Sequence, residues 1–142
     1  MSKTEPFCDL QVFKLGTPLS DQLVKLPTVC LLAADSLNPS LNLDVLVDRL
    51  VLAGCSYFMT WGAAADVLHD SLDDVLEDRG GDFLSVITAS HKGEPADDVA
   101  WFLVNAALPG EIELRCCVGY AEEVAGVDAL LKAVRAAVPR LR

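Results

Sequence analysis

The chain has 142 residues, a common length for one domain and long enough to bury a substantial hydrophobic core. Hydrophobic residues make up 52% of it and charged residues 23%, which excludes a disordered or fibrous protein. Acidic residues outnumber basic residues 21 to 11, giving a net charge of -10, and this charge disfavours binding to nucleic acids and to anionic membranes.

The sequence also indicates a compartment. No apolar run approaches the roughly 18 residues that a membrane-spanning helix needs, and the first six residues lack the apolar stretch of a secretory signal. We therefore expect a cytoplasmic protein. The five cysteines are odd in number, form no C-x-x-C pair and lie mostly in apolar segments, so we predict buried thiols and no metal site. They are Cys8, Cys30, Cys55, Cys116 and Cys117.

Residues 1–27 are predicted to form an N-terminal lead, and residues 28–142 a single α/β domain, because no repeat or linker divides them. Within the lead, Cys8 to Leu15 alternates loosely and predicts an edge strand, while Leu19 to Leu26 predicts either a short helix or a turn. The continuous apolar run from Val29 to Ala34 predicts a first core strand that is covered on both faces.

The next two elements have clear boundaries. Asn38 and Pro39 supply a helix N-cap and a proline at the first helical position, and Gly54 ends the apolar residues that recur at helical spacing. The aromatic-rich segment from Cys55 to Trp61 predicts a second core strand, which ends at Gly62.

The second helix has two predicted starts. Either Ala63 to Leu68 begin it, or Asp70 caps a separate helix and leaves His69 on the solvated side of a turn, which is the interpretation we prefer. Gly80-Gly81 ends the helix, and Phe83 to Thr88 predicts a third core strand.

The pattern repeats to the end of the chain. Pro95 opens a helix that Pro109-Gly110 ends, Ile112 to Tyr120 predicts a fourth core strand, and Glu122 to about Val138 predicts a closing helix. This alternation is typical of right-handed βαβ crossovers. The predicted fold is an α/β three-layer sandwich with a mainly parallel sheet of four to five strands, Rossmann-like or flavodoxin-like; the strand order stays open.

Two segments resemble a family of small bacterial proteins of unknown function. Gly54 to Gly62 reads G-C-x-Y-x-M-x-W-G, and Thr88 to Pro95 reads T-x-x-H-x-x-E-P, with Trp101-Phe102 following. Ala89 and Ser90 stand where that family has threonine and tryptophan, so a stacking aromatic is missing here. The resemblance implies a bacterial origin and a stand-alone domain, and it implies no activity.

Ligands of open parallel sheets bind beyond the carboxyl ends of the strands, near the point where the strand order reverses. The predicted strand ends carry a candidate ligand-binding rim, Asp35, Ser36, Trp61, His91 and Glu94. His91 is a candidate general base with Asp35 or Glu94 as its orienting carboxylate, or else a loop histidine that caps the following helix. Asp35 and His91 meet only if the core strands lie in the order second, first, third, fourth.

A second candidate site is a run of acids on neighbouring helical turns. It consists of Asp66, Asp70, Asp73, Asp74, Glu77 and Asp78. We interpret these residues as a surface for a basic protein partner, against the alternatives of a solvated face or a cation site.

Signatures of cofactor binding and hydrolysis are missing from the sequence, since it has no G-x-G-x-x-G, no P-loop and no G-x-S-x-G. We therefore predict no cofactor and favour a non-catalytic binding or protein-interaction module of a bacterial cytoplasm, of the accessory or immunity-like kind. A homodimer stays open. The alternative is a small-molecule-binding domain or weak hydrolase that uses a strand-end pocket around Asp35 and His91.

Overall fold

The computed structural model describes residues 7–17, 23–37, 41–110, 113–121 and 123–138. Within these residues five strands form one parallel sheet. They are β1 (Phe7–Lys14), β2 (Thr28–Ala33), β3 (Cys55–Trp61), β4 (Ile87–Ser90) and β5 (Glu113–Tyr120). Their order across the sheet is β1-β5-β2-β3-β4.

Helices cover both faces of the sheet. They are α1 (Leu43–Leu52), α2 (Ala65–Arg79), α3 (Ala96–Trp101) and α4 (Val127–Ala137). The pair α1 and α2 packs on one face and the pair α3 and α4 on the other. The predicted three-layer α/β sandwich with a parallel sheet is therefore confirmed. No helix in the described part of the chain combines the length and the apolar character that crossing a membrane requires.

The central strand shows why the core forms here. All six residues of β2 are buried, because neighbouring strands flank it and helices cover both of its faces. The five cysteines are buried free thiols, as predicted. Buried Thr60, on β3, donates its hydroxyl to the Ala65 carbonyl at 2.7 Å and so ties the start of α2 to the sheet.

The N-terminal lead adds a strand to the sheet, since β1 lies at its edge beside β5 as predicted. Residues 23–26 form neither helix nor strand, and the rest of the Leu19 to Leu26 segment lies outside the described residues. Arg115 of β5 ties residues 23–26 to the turn after α1, because its buried guanidinium donates to the carbonyl oxygens of Val24 and Ala53. Its Nε lies 3.6 Å from an Asp9 carboxylate oxygen.

The third core strand begins later than predicted. The prediction of Phe83 to Thr88 was wrong at its start, because Gly81–Ser85 forms a 3₁₀ helix and the strand is Ile87–Ser90. Ser85 donates its hydroxyl to the Asp82 carbonyl at 2.8 Å. Such local hydrogen bonds compete with strand pairing, so the chain turns once more before it enters the sheet.

One continuous helix replaces the two that Asp70 was predicted to separate. Asp70 lies inside α2 and caps nothing, so that prediction was wrong. The buried residues Leu68, Leu72 and Leu76 recur at helical spacing on both sides of it. Burial of this apolar stripe against the sheet outweighs the local preference of aspartate for a helix start.

Two helices begin later than predicted. Asn42 caps α1 and accepts from the Val45 N–H at 3.3 Å, while the predicted cap, Asn38-Pro39, lies outside the described residues. The closing helix begins after Gly126, which has a φ of 81°, and not at Glu122, which also lies outside the described residues. Pro95 precedes α3 as predicted, and the helix continues as a π-helix over Phe102–Ala106.

Candidate functional site

The strand order fixes where polar strand ends meet. From β2 the chain continues to β3 and β4 on one side, whereas β5 pairs with the other side of β2. The reversal therefore lies between β2 and β5, not at the position that would join Asp35 to His91. These two residues follow strands that are separated by β3, a spacing of about 10 Å between strand axes.

A cleft of about 610 Å³ lies at this reversal, above the carboxyl ends of β1, β5 and β2. Its volume falls in the range of small-molecule sites, roughly 300–1,000 Å³. Residues that line it include Lys14, Gly16, Thr17, Ser36, Tyr120 and Glu123. We call it the switch-point cleft. Of the predicted rim, Ser36 lines the cleft, whereas Asp35, Trp61, His91 and Glu94 do not.

Backbone hydrogen bonds make the floor of the switch-point cleft rigid. Leu15 N–H donates to the Tyr120 carbonyl at 2.8 Å, and Ala121 N–H donates to the Ala33 carbonyl at 2.9 Å, so strand pairing continues beyond the strand ends. The turn after β1 is closed by Thr17, whose hydroxyl donates to the Lys14 carbonyl at 2.6 Å. The cleft is thus formed by fixed backbone.

The side chains of the switch-point cleft retain polar groups for a ligand. Among the described residues, the hydroxyls of Ser36 and Tyr120 have no hydrogen-bond partner, and each can both donate and accept. Glu123 contributes a carboxylate, and Leu15 and Leu41 contribute apolar surface. This mixture suits a polar molecule that carries an aliphatic part.

Asp35 joins two loops beside the cleft. Its Oδ1 accepts from the Ala63 N–H and its Oδ2 from the Ala125 N–H, both at 2.9 Å. The hydrogen bond from Ala63, followed by that from Ala125, lowers the pKa of Asp35 because both stabilise the carboxylate. Both oxygens are therefore used to hold the loop after β3 and the loop before α4.

The remaining rim residues form a separate cluster at the ends of β3 and β4. His91 Nδ1 lies 2.9 Å from Glu94 Oε1, and Trp61 Nε1 donates to the Glu94 carbonyl at 2.8 Å. The His91 ring lies 4.9 Å from the Phe102 ring, between centroids. We call Trp61, His91, Glu94 and Phe102 the His91 network. Sequence analysis left two carboxylates as partners for His91, and the one within hydrogen-bond distance is Glu94.

The His91 network has no opening to solvent at the histidine. The His91 side chain is 8% exposed, and its Nε2 is buried without a hydrogen-bond partner among the described residues. Nδ1 faces the Glu94 carboxylate, and Nε2 faces the protein interior. A general base must reach the proton that it abstracts, and no described group lies within hydrogen-bond distance of His91 Nε2.

The acidic run on α2 divides into two sets. Asp66 and Asp73 face β4 and accept from the hydroxyls of Ser90 and Thr88, each at 2.6 Å. His69, predicted to be solvated, instead contacts the Thr88 hydroxyl through Nε2 at 3.1 Å.

The other acids of the run point outward. Asp78 lies 3.2 Å from Arg79, while Asp70, Asp74 and Glu77 are exposed. Asp70 has 82% of its side-chain surface in solvent. No group of histidine, cysteine and acidic side chains within the described ranges is arranged to hold a metal ion.

Most residues of the switch-point cleft were not predicted from the sequence as site residues. The sequence pattern placed Gly16 and Thr17 in a lead outside the domain. It did not predict the pairing of β1 with β5, because the two strands lie far apart in the sequence. The sequence does carry one signal for this site, the glycine turn at Gly16 directly after an alternating segment. Such a turn marks the end of a strand, and ligands of parallel sheets bind at the carboxyl ends of strands.

The comparisons with known proteins give a family and no activity. A family model described as "Domain of unknown function (DUF7684)" matches residues 10–137, which include the switch-point cleft and the His91 network. No curated protein and no solved structure matches the chain.

Proposed function

The chain belongs to the DUF7684 family, a domain of unknown function, and on that premise we propose that it is a non-catalytic module that binds a small polar molecule in the switch-point cleft. The observation that carries the proposal is the position of the cleft, at the reversal of strand order, where open parallel sheets bind ligands. We also propose a bacterial cytoplasm as its location, which the sequence resemblance to small bacterial proteins supports.

Binding is favoured over hydrolysis by the chemistry of the two regions. The titratable residues that line the switch-point cleft are Lys14, Tyr120 and Glu123, and none of its described lining residues is a histidine or a cysteine. The weak hydrolase considered as an alternative requires His91 and Asp35 at one ligand. His91 is paired with Glu94, and Asp35 with backbone N–H groups.

The proposal is tested by a thermal-shift screen of small metabolites, in which a ligand at 100 times its Kd stabilises the protein by about 2.7 kcal/mol. For any hit, Tyr120→Phe and Ser36→Ala should each weaken binding roughly fivefold, since a neutral hydrogen bond contributes about 1 kcal/mol. The matched controls, Tyr57→Phe and Ser56→Ala, remove the same groups away from the switch-point cleft. Hits that Tyr57→Phe or Glu94→Gln weakens, and Tyr120→Phe does not, would refute the assignment of the site.

A second candidate function is docking of a basic protein on the outward acids of α2, as an accessory or immunity-like protein would do. It is favoured by the exposure of Asp70, Asp74 and Glu77, three acids on successive turns of one helix. Reversing two charges, Asp70→Lys with Asp74→Lys, should abolish capture of such a partner. The control variant reverses the charges of Asp97 and Asp98 in the first turn of α3. If both variants capture the partner equally well, the outward acids of α2 are not the docking surface. Light scattering measures the mass of the protein in solution and so shows separately whether it forms a homodimer.

A further inference from the structure

Two of the five buried cysteines are in contact. The Sγ atoms of Cys8 and Cys116 lie 3.0 Å apart, and the two residues are 4% and 0% exposed. The other three thiols, all of them within the described residues, form no sulfur–sulfur hydrogen bond. The contact joins β1 to β5, two strands whose pairing holds the N-terminal segment in the sheet.

The parallel register explains how the thiols meet. Cys8 is opposite Leu114 and Cys116 is opposite Leu10, so both cysteines lie on one face of the sheet, two residues apart along the strands. The sulfur atoms meet diagonally. A disulfide has a bond of about 2.0 Å, so bonding requires the sulfurs to approach by about 1 Å. Because β1 is an edge strand whose one neighbour is β5, local opening of this pairing would both expose the buried Cys8 to a small molecule and allow this adjustment.

The contact also distributes the protons of the pair. A hydrogen bond from the Cys116 thiol lowers the pKa of Cys8, because it stabilises the Cys8 thiolate. The same interaction raises the pKa of Cys116, since a second thiolate would repel the first, and burial acts in the same direction. The cysteine with the lowered pKa is the better attacking group, and its neighbour Cys116, which keeps its proton, is placed to act as the resolving cysteine.

We propose that Cys8 and Cys116 form a reversible disulfide upon oxidation by hydrogen peroxide or another small peroxide, and that this bond fastens the edge strand β1 to β5. The inference does not depend on the proposed ligand. It does bear on the switch-point cleft, because β1 ends in Lys14 and leads into Gly16 and Thr17 of the cleft wall.

The chemistry balances in two steps. The Cys8 thiolate attacks one peroxide oxygen, the O–O bond breaks, and the departing hydroxide takes a proton to become water, leaving Cys8 as the sulfenic acid. Cys116 sulfur then attacks the Cys8 sulfur, the S–S bond forms, the S–O bond breaks, and hydroxide leaves with the Cys116 proton as a second water. The two thiols lose two electrons and two protons, and peroxide is reduced to water. A dithiol reductant reverses the change.

The test treats reduced, folded protein with stoichiometric hydrogen peroxide, alkylates the remaining thiols in denaturant, and maps the peptides by mass spectrometry. We expect loss of two alkylation sites, a linked peptide that contains Cys8 and Cys116, and full reversal by dithiothreitol. The bond closes a loop across a sequence separation of 108 residues, so the oxidised protein should melt several degrees higher. Cys8→Ala should lose both the link and the shift, whereas the control Cys55→Ala should keep them.

Three outcomes would overturn the inference. They are five alkylated thiols after oxidation, a link that involves Cys30, Cys55 or Cys117 in place of this pair, and sulfinic or sulfonic acid at Cys8 without a link. Near-ultraviolet circular dichroism of each variant establishes that it is folded. If Cys8→Ala does not fold, Cys8→Ser takes its place, and the peptide map of the wild-type protein decides the question without any variant.

Discussion

The two halves of the carboxyl edge of the sheet use their polar residues in different ways. At the ends of β3 and β4, His91 Nδ1 contacts the Glu94 carboxylate and the Trp61 indole donates to the Glu94 backbone carbonyl, while His91 Nε2 is buried without a partner in the described structure. At the ends of β1, β5 and β2, the switch-point cleft keeps the hydroxyls of Ser36 and Tyr120 without partners in the described structure. Both halves look alike in sequence, as polar residues that follow apolar strands.

The difference lies in what connects the strands. Polar side chains at the ends of β3 and β4 are met by the next loop within a few residues, as His91 is by Glu94. At the reversal of strand order the described connections leave in opposite directions, from β2 towards β3 and from β5 to α4 on the other face of the sheet. A polar strand end therefore indicates a binding site where the topology places it at such a reversal, and the His91 network lies away from the reversal.

The largest expected effect on stability comes from substituting two glycines, one in each half of the carboxyl edge. Gly62, which follows β3, has a φ of 102°, and an added Cβ would lie 2.3 Å from the Ala34 carbonyl oxygen. Gly16, in the switch-point cleft, has a φ of 92° and no atom within 4 Å of an added Cβ. Gly62→Ala should therefore destabilise the protein by about 3 kcal/mol or more, and Gly16→Ala by about 1 kcal/mol. Urea unfolding with a fitted m-value measures both.

Equal losses in the two glycine variants would contradict the comparison, because they would mean that the turn in the switch-point cleft is as tightly packed as the end of β3. A loss of stability in Gly16→Ala alone would reverse the comparison. The far-ultraviolet circular dichroism of each variant shows whether the fold is retained before unfolding is compared.

A smaller effect is expected at Asp35, which lies at the boundary between the two halves. Its lowered pKa means that its contribution to stability is present above its unfolded pKa and is lost as the pH falls through the folded pKa. Asp35→Ala should cost about 1 kcal/mol near neutrality, after allowance for solvent screening. The difference in urea midpoint between wild type and variant should shrink in acid.

Asp35→Asn is the matched control for this prediction, because it keeps one oxygen acceptor and the size of the side chain while removing the titration. Asp35→Asn should be less stable than the wild type. Its stability should not show the change in acid that comes from protonation of Asp35 in the wild type. A wild-type advantage over Asp35→Ala that stays constant from neutral to acid pH would show that the carboxylate charge contributes nothing to the two backbone hydrogen bonds.

Local pattern was sufficient to predict most of the fold. The six buried residues of β2 and the stop at Gly62 follow from apolar runs and glycine, which act over a few residues. Predictions failed where packing overrode a local preference, as at Asp70 inside α2, or where local hydrogen bonds replaced a strand, as at Ser85. These failures moved boundaries without changing the architecture.

The site was harder to predict than the fold, because it depends on strand order. Trp61 and His91 belong to one cluster and Ser36 to another, although all three follow predicted strands. Nothing in the residues themselves distinguishes these cases. The pairing of β1 with β5, which creates the switch-point cleft, joins residues about a hundred positions apart and has no local signature.

The smallest effect compares the two tryptophans of the chain. Trp61→Phe keeps most of the ring but removes the Nε1–H that donates to the Glu94 carbonyl, so it should cost about 1 kcal/mol. Trp101, which is 60% exposed and lies outside the His91 network, is the matched control, and Trp101→Phe should change stability by less than about 0.5 kcal/mol. Neither change should alter ligand binding in the switch-point cleft. If Trp61→Phe left stability unchanged and weakened a ligand, the indole would be a binding group, and the ends of β3 and β4 would be a second open site.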